Sequence, residues 1–425
     1  MLCPQRFDLM YKYLYIKFRE KKINSKFFVE LYHKHLITFN NCYELPDINL
    51  PDQKPKKNID DFINSFNNLI DNMKNIGYDE NFPIPIGNNN IIINGTHRLM
   101  ISYYYKITPS IIQKNENGNP NYNYNFFLNR TINPSLDRIY TDPIALEYVK
   151  HNPNIRTMII YPIAYYYNKL NEVMNIINNY GYIYYQKTID LNKNGVSNLI
   201  KEIYRHEEWI GGSFPSGFSP GGKAQRCVSQ QSCYTVFLLI HINDLSKCIE
   251  LKEKCRGIFG IGKHSLHLSD SPNDTFRISC ALLNENSIDF LNKGTNDITN
   301  STKLLLTNYF DKLKSMNTLN NNSLRNDLCE DYCLTSSLIM EMFNLRQAKD
   351  IDYLHKEDNE LGLENVGVHK GKWLSYYHIH KDEIIYNPKY HFYFNGFKFA
   401  SLEVIKRMKE NRNEPKDIKD IKLID

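Results

Sequence analysis

Residues 155–191 read IRTMIIYPIAYYYNKLNEVMNIINNYGYIYYQKTIDL, and they decide the predicted fold of this 425-residue chain. The apolar run TMIIYPIA predicts a strand, NKLNEVMNIINNYG has the spacing of a helix, and YIYYQKTIDL predicts a second strand. Downstream, VSNLIKEIY predicts a helix and YTVFLLIHI another strand. This alternation, which continues to about residue 292, predicts an α/β or α+β plan.

The length and composition predict a folded chain of several domains. A chain of 425 residues exceeds what one hydrophobic core usually supports, and 42% of its residues are hydrophobic. A net charge of +5 favours a mixed, solvated surface over a nucleic-acid-binding face. Nine cysteines in no paired spacing predict neither a disulfide framework nor a zinc site. Without a leader or an apolar run of about 18 residues, we expect a cytoplasmic protein with no membrane partner.

The pattern of helical and polar stretches predicts four parts. Residues 1–58 form an N-terminal helical segment that ends in the proline-rich linker 46–58, and residues 59–150 form a first domain. A second domain covers residues 151–292. The polar stretch 292–302 then connects to a last domain at 303–425. The expected fold class is therefore α+β or α/β, multidomain.

The first constellation that suits phosphate chemistry is INGTHR (93–98), between a predicted strand and a predicted helix. Gly95 lets the backbone approach a ligand closely, and Arg98 adds charge at a helix N-terminus. An ordinary capping feature is the alternative. The stretch PIPIGNNNIIINGTHRLMISYYYKI resembles the ParB/sulfiredoxin superfamily, including its free-serine kinase branch. That resemblance implies that Gly95, His97 and Arg98 bind phosphate, although Asn94 stands where an aspartate is common.

The second constellation pairs RGIF (256–259) with HLSDS (267–271). A neutral imidazole can attack a γ-phosphate when cations offset the charge on the phosphate oxygens. The two segments resemble the nucleoside diphosphate kinase family, whose fold is ferredoxin-like. The resemblance implies that His267 is the phosphorylated histidine, that Arg256 binds phosphate and that Ser269 belongs to the same nucleotide site.

Two departures from that family concern the phosphate site. Where the family has I-K-P-D, residues 160–163 read IYPI, so its phosphate-binding lysine is missing. The glutamate that orients the histidine ring is also missing, because the corresponding region reads FRISCAL. Tyr204 aligns loosely with a tyrosine of the family's nucleotide cleft. Lys223, in the predicted glycine-rich loop GFSPGGKAQRC, is a candidate phosphate ligand. The alternative is a domain of that fold that binds a nucleotide weakly or has become purely structural.

The third constellation is TSS (335–337) followed by DID (350–352). Two carboxylates one residue apart on a strand share a face and can bind Mg²⁺, while small residues on a turn admit phosphates. The segment and the tail FKFASLEVIKRMKENRNEPKDIKDIKLI resemble the nucleotidyltransferase superfamily. This implies that Asp350 and Asp352 are catalytic metal ligands and that Ser336, where glycine is usual, and Ser337 bind phosphate. A third carboxylate is missing: the next predicted strand offers Asn395. A solvated D-x-D without metal is the alternative.

Together, these patterns predict an ATP/Mg²⁺-dependent phosphoryl or nucleotidyl transferase. We expect ATP or another nucleoside triphosphate and Mg²⁺ as cofactors, and a small hydroxylated metabolite, suggestive of surface-glycan precursor synthesis, as acceptor. The alternative is a non-catalytic nucleotide-binding sensor or assembly protein built from degenerate enzyme folds. Nucleic acid is a disfavoured partner because no helix-turn-helix or basic stripe is visible.

Overall fold

The chain folds into a mixed α+β architecture with several small sheets. The structure is a computed structural model that describes residues 6–45, 55–130, 134–205, 207, 209, 221–295, 298–318 and 328–425. It divides into two compact units, Met1–Glu147 and Tyr148–Asp425. The four-part division of the chain stays a prediction. No helix among these described residues is both long and apolar enough to cross a membrane.

The first unit is mainly helical, as the periodicity of residues 7–43 and 59–77 predicts. The predicted helix from Ile59 is confirmed: the Asn58 side chain accepts a hydrogen bond from the Asp61 amide at its start, and Gly77 ends it with φ +98°. The elements are α1 (Asp8–Glu20), α2 (Phe27–Asn40), α3 (Ile59–Ile76), β1 (Ile84–Ile86), α4 (Thr96–Tyr105), β2 (Ile111–Gln113), α5 (Tyr124–Leu128) and the start of α6 (Pro134–His151).

The strands of the first unit differ from the prediction. FPIPIGNNNIIING predicts a strand, a turn and a strand, but the second half contributes only an isolated bridge between Ile86 and Ile92. Strand β1 instead pairs in parallel with β2, with Ile84 opposite Ile111. A sequence window misses this pairing because the partner follows only after the intervening helix α4.

The second unit opens with a four-stranded sheet in the order β4-β5-β3-β6, in which all neighbours are antiparallel. The predicted alternation of strands and helices is confirmed, and β5 coincides with the predicted strand YTVFLLIHI. Lys223 is an exception, since it lies on a short helix and not in a loop. The elements are β3 (Ile155–Ile160), α7 (Pro162–Tyr165), α8 (Leu170–Ile177), β4 (Gly181–Asp190), α9 (Lys193–Ile203), α10 (Gly221–Cys227), β5 (Tyr234–Ile242), α11 (Cys248–Phe259), β6 (Leu266–Leu268), α12 (Pro272–Leu282) and α13 (Glu285–Lys293).

The four-stranded sheet is covered on both faces. Helices α8 and α11 pack on one face, where Val173 and Leu251 join Met158 of β3 in a fully buried core. On the other face, Thr157 of β3 contacts Ser279 of α12. Every residue of β3 is buried, and for this reason the strand reads as a continuous apolar run instead of an alternating one.

A five-stranded mixed sheet follows, in the order β10-β11-β7-β8-β9. It joins the preceding part of the second unit through α13, where the ring of Phe290 stacks on Phe392 of β10 with centroids 4.6 Å apart. The elements are α14 (Asn300–Thr318), β7 (Tyr332–Thr335), α15 (Ser337–Met342), β8 (Ile351–His355), β9 (Val366–Val368), α16 (Lys372–Ser375), α17 (Lys381–Tyr386), β10 (His391–Phe394), β11 (Phe397–Ala400), α18 (Leu402–Arg412) and α19 (Pro415–Ile424).

Three local predictions are wrong in this region. The stretch YYHIHKDE predicts that His378 and His380 alternate on a strand, but they lie between α16 and α17, where the ring of His380 caps α17. Asn395 is not on a strand but in the turn between β10 and β11, with φ +52°. The tail SLEVIKRMKENRNEPKDIKDIKLI predicts one charged helix, but it forms two: Asn413 has φ +52°, and Pro415 starts the second helix.

Candidate functional site

A cleft of about 430 Å³ opens beside β6 in the second unit, and His267 lies in its wall. The surrounding residues come from segments far apart in sequence: the end of α9, α10, α11 and the loop before β6. They are Tyr204, Trp209, Gly222, Lys223, Arg226, Lys252, Arg256, Lys263, His264, His267 and Asp270.

The cleft is strongly cationic. Five lysine and arginine side chains line it, and among the described residues one carboxylate, that of Asp270, lines it with them and pairs with Lys252 at 2.7 Å. Cations concentrated around a concave site attract polyanions and stabilise charge on phosphate oxygens. The cleft therefore suits a phosphorylated ligand with several negative charges.

His267 is held in one orientation by Tyr204. Its Nδ1 lies 3.1 Å from the Tyr204 hydroxyl oxygen, and the residue is only 5% exposed. Burial, reinforced by the charges of Lys252, Lys223 and Arg256, holds the pKa of His267 well below its usual value. The imidazole is therefore neutral at physiological pH, which is the form that acts as a nucleophile.

Lys223 enters the cleft from α10. Its ammonium donates a hydrogen bond to the Lys263 carbonyl at 2.8 Å and lies 5.0 Å from the ring centre of Tyr204 and 5.5 Å from that of Tyr161. Burial lowers the pKa of this ammonium, and the nearby Arg256 acts in the same direction. Helix α10 thus places an ammonium beside the ring of Tyr161.

Two further predicted residues of this constellation have different surroundings. Arg256 is on α11 and lines the cleft; it pairs with Glu253 at 2.7 Å, while its Nε is buried without a hydrogen-bond partner among the described residues. Ser269 does not line the cleft. It is buried, and its hydroxyl accepts from the Thr157 amide at 2.9 Å and contacts Thr275 at 2.8 Å. Ser269 therefore links the end of β6 to β3.

An aromatic wall completes the cleft. The ring of Trp209 is 58% exposed and lies 5.0 Å from that of Tyr204, tilted by 60°. Exposed aromatic faces beside phosphate-binding cations suit a stacked nucleobase. Sequence reasoning assigned no ligand role to Trp209, Arg226, Lys252, Lys263 or His264, because only the fold brings them around His267.

In the first unit, the predicted phosphate residues surround the start of α4. Gly95 has φ +87°, and a Cβ there would lie 3.0 Å from the Arg98 guanidinium. Arg98 donates to the Phe82 carbonyl. Nε2 of His97 lies 2.9 Å from the Tyr32 hydroxyl, and burial holds the pKa of His97 well below its usual value. The side chains of His97 and Arg98 thus have different hydrogen-bond partners in this structure.

In the five-stranded sheet, the predicted turn and carboxylates come together. Ser336 has φ +64° and ψ −140°, a backbone conformation that glycine adopts easily and other residues rarely do. The Ser337 hydroxyl donates to Asp350 at 3.3 Å, and Ser336 hydrogen-bonds Asp352. Ser336 thus has a backbone geometry that is typical of glycine.

Asp352 has a partner that sequence reasoning missed. Nε2 of His369 lies 3.4 Å from its carboxylate, and Nδ1 of the same ring contacts the Tyr377 hydroxyl at 2.7 Å, which in turn contacts Thr335 at 2.9 Å. Burial alone would raise the pKa of Asp352, but the contact with His369 lowers it. No spacing links His369 to the D-x-D motif, since it comes from the segment after β9.

Asp350 and Asp352 supply the number of protein carboxylates that a Mg²⁺ site commonly uses. Mg²⁺ is commonly bound by one or two protein carboxylates together with substrate phosphates and water, and Asp350 and Asp352 both contact the Ser336–Ser337 turn. Within the described part of the chain, no group of three or more His, Cys, Asp or Glu side chains is placed to hold a metal by itself. A bound triphosphate would have to complete the coordination.

The charged residues of the tail pair among themselves. Arg346 binds Asp420 through two hydrogen bonds of 2.6 and 2.8 Å, and Lys409, only 1% exposed, contacts Asp420 at 2.6 Å. Arg412 binds Asp417 at 2.6 and 2.8 Å. The K-D-x-x-D pattern of the tail thus fastens α18 and α19 to the segment before β8.

No protein-family model, curated protein or solved structure matches this chain. The resemblances to the three families therefore stay predictions.

Proposed function

We propose that this chain is a transferase of phosphorus-containing groups that binds a nucleoside triphosphate in the cationic cleft beside His267. Five cationic side chains surround a buried, neutral imidazole and carry the proposal; among the described residues, Asp270 and Glu253 pair with two of these cations. Cations of this number are costly to bring together unless an anion neutralises them. A triphosphate supplies both the matching charge and an electrophilic phosphorus for His267.

The topology of the sheet also supports this function. In chain order the four strands are arranged 2-3-1-4, all antiparallel, with α8 and α11 on one face. This is the order of the ferredoxin-like plan that the resemblance to nucleoside diphosphate kinases implies. Lys223 and Tyr204 stand in for the missing lysine and glutamate, one as a cation beside Tyr161 and the other as the group that orients the ring.

Phosphorus NMR tests the proposal. The purified chain, with Mg²⁺ and ATP, is incubated with a pool of small hydroxylated metabolites, and we expect ADP to accumulate. His267→Gln should abolish ADP formation. His241→Gln is the matched control, because His241 is another part-buried histidine with a lowered pKa on the same sheet but outside the cleft. Equal ADP formation by the wild-type chain and by His267→Gln would reject His267 as the acceptor.

A second candidate function, nucleotidyl transfer, is favoured by the turn at Ser336. Asp350 and Asp352 would hold Mg²⁺, which neutralises the triphosphate, while the open turn admits its oxygens. Replacement of both aspartates by asparagine should abolish pyrophosphate release and leave ADP formation unchanged. Undiminished pyrophosphate release would remove this candidate.

The same experiment separates both transfer reactions from a sensor. Micromolar nucleotide binding measured by calorimetry, without ADP or pyrophosphate from any metabolite in the pool, would favour the non-catalytic nucleotide-binding role. Absence of nucleotide binding would contradict the proposal altogether.

A further inference from the structure

The two nitrogens of the His267 ring have different surroundings. Nδ1 faces the Tyr204 hydroxyl at 3.1 Å. Nε2 has no hydrogen-bond partner among the residues that the structure describes, and it is not sealed within the core. Since the ring forms part of the cleft wall, Nε2 is the nitrogen that a ligand can reach.

The contact with Tyr204 joins Nδ1 to a hydroxyl that can donate or accept a hydrogen bond, so it is compatible with either tautomer of the ring. When the phenol oxygen accepts the proton of Nδ1–H, the lone pair of the neutral ring lies on Nε2. We infer that Nε2 of His267 is the atom that accepts the phosphoryl group, and that Tyr204 is the positioning residue which directs the transfer to it. This inference rests on the proposed function.

The step balances within the cleft. The lone pair of Nε2 attacks the terminal phosphorus of a nucleoside triphosphate, and an N–P bond forms. The bond between that phosphorus and its bridging oxygen breaks, and the nucleoside diphosphate leaves with the electron pair. Nδ1 keeps its proton and its N–H group donates to Tyr204, so the phosphorylated ring carries a positive charge that the attached phosphoryl dianion balances, and the transfer needs no separate base.

The charges around the ring suit this product. Lys252 and Lys223 are among the groups whose positive charge acts most strongly on His267. They disfavour a protonated imidazole before the transfer, and they stabilise the dianionic phosphoryl group after it. The same lysines thus help to lower the pKa of His267 and to stabilise the phosphorylated product.

The test identifies the phosphorylated nitrogen. The full chain is incubated with ATP labelled on its γ-phosphate, then hydrolysed in alkali, and the two phosphohistidine isomers are separated against standards. We expect the Nε2 isomer in at least tenfold excess. In Tyr204→Phe, which keeps the ring but removes the hydroxyl, labelling should slow about tenfold and both isomers should appear.

Each outcome separates this inference from the proposed function. A predominant Nδ1 isomer, or an isomer ratio that Tyr204→Phe leaves unchanged, would overturn the inference while phosphorylation itself stands. Calorimetric ATP binding without label would overturn the inference and leave only a nucleotide-binding cleft. No label and no binding would overturn both. His241→Gln should label like the wild-type chain, whereas loss of label in that variant alone would place the acceptor elsewhere.

Discussion

Removing one charge from the cleft gives the sharpest test of its chemistry. Lys223 is 9% exposed, and its ammonium lies between the rings of Tyr161 and Tyr204. Lys223→Met keeps most of the aliphatic stem and deletes the charge. A hydrogen bond to a charged group contributes about 1.5–3 kcal/mol, so we expect the Kd for ATP to rise about 10- to 150-fold.

The fluorescence of Trp209 can report this Kd. Of its two tryptophans, Trp209 lines the cleft and Trp373 does not. In a Trp373→Phe background, a stacked base should quench the Trp209 fluorescence, and the titration gives the Kd. Lys254→Met is the matched control, because Lys254 is on the same helix as Arg256 but pairs with Glu250 outside the cleft. An unchanged Kd in Lys223→Met would refute the assignment of the cleft to phosphates.

Three further predictions concern stability, measured by urea unfolding. Ser336→Gly should raise the free energy of unfolding by about 1 kcal/mol. The substitution relieves a backbone strain of about 1–3 kcal/mol at φ +64°, and the greater entropy of glycine in the unfolded chain offsets part of this gain. A fall in the free energy of unfolding would show that this backbone conformation is unstrained. Asp420→Asn should lower the free energy of unfolding by about 3 kcal/mol, because it leaves the buried charge of Lys409 poorly compensated, and a change below about 0.5 kcal/mol, the usual size of a neutral surface substitution, would contradict this. Burial lowers the pKa of Lys398 from 10.5 to about 8, so the unfolded chain binds more protons between these pH values. Stability relative to Lys398→Met should then rise with pH by up to about 1.4 kcal/mol per unit across that window, and a flat difference would contradict the lowered pKa.

The sequence by itself determined the elements whose signals are local. The strand over residues 234–242 is apolar at nearly every position because both faces of the sheet are covered, and the helix at 59–76 carries its own cap and stop residues. His267 and the pair Asp350 and Asp352 were also predicted as candidates, because each stands in a short motif with its own chemistry.

Only the tertiary structure decided what surrounds those candidates. Tyr204 contacts His267 from another segment, Lys223 and Trp209 line the same cleft, and His369 contacts Asp352 from the segment after β9. These contacts depend on strand order and helix packing, which arise from long-range burial of apolar surface and leave no periodicity in the sequence. Charge at a site is likewise a sum over groups that only folding brings together. For that reason, a chain with a net charge of +5 over 425 residues shows its cationic cleft only in three dimensions.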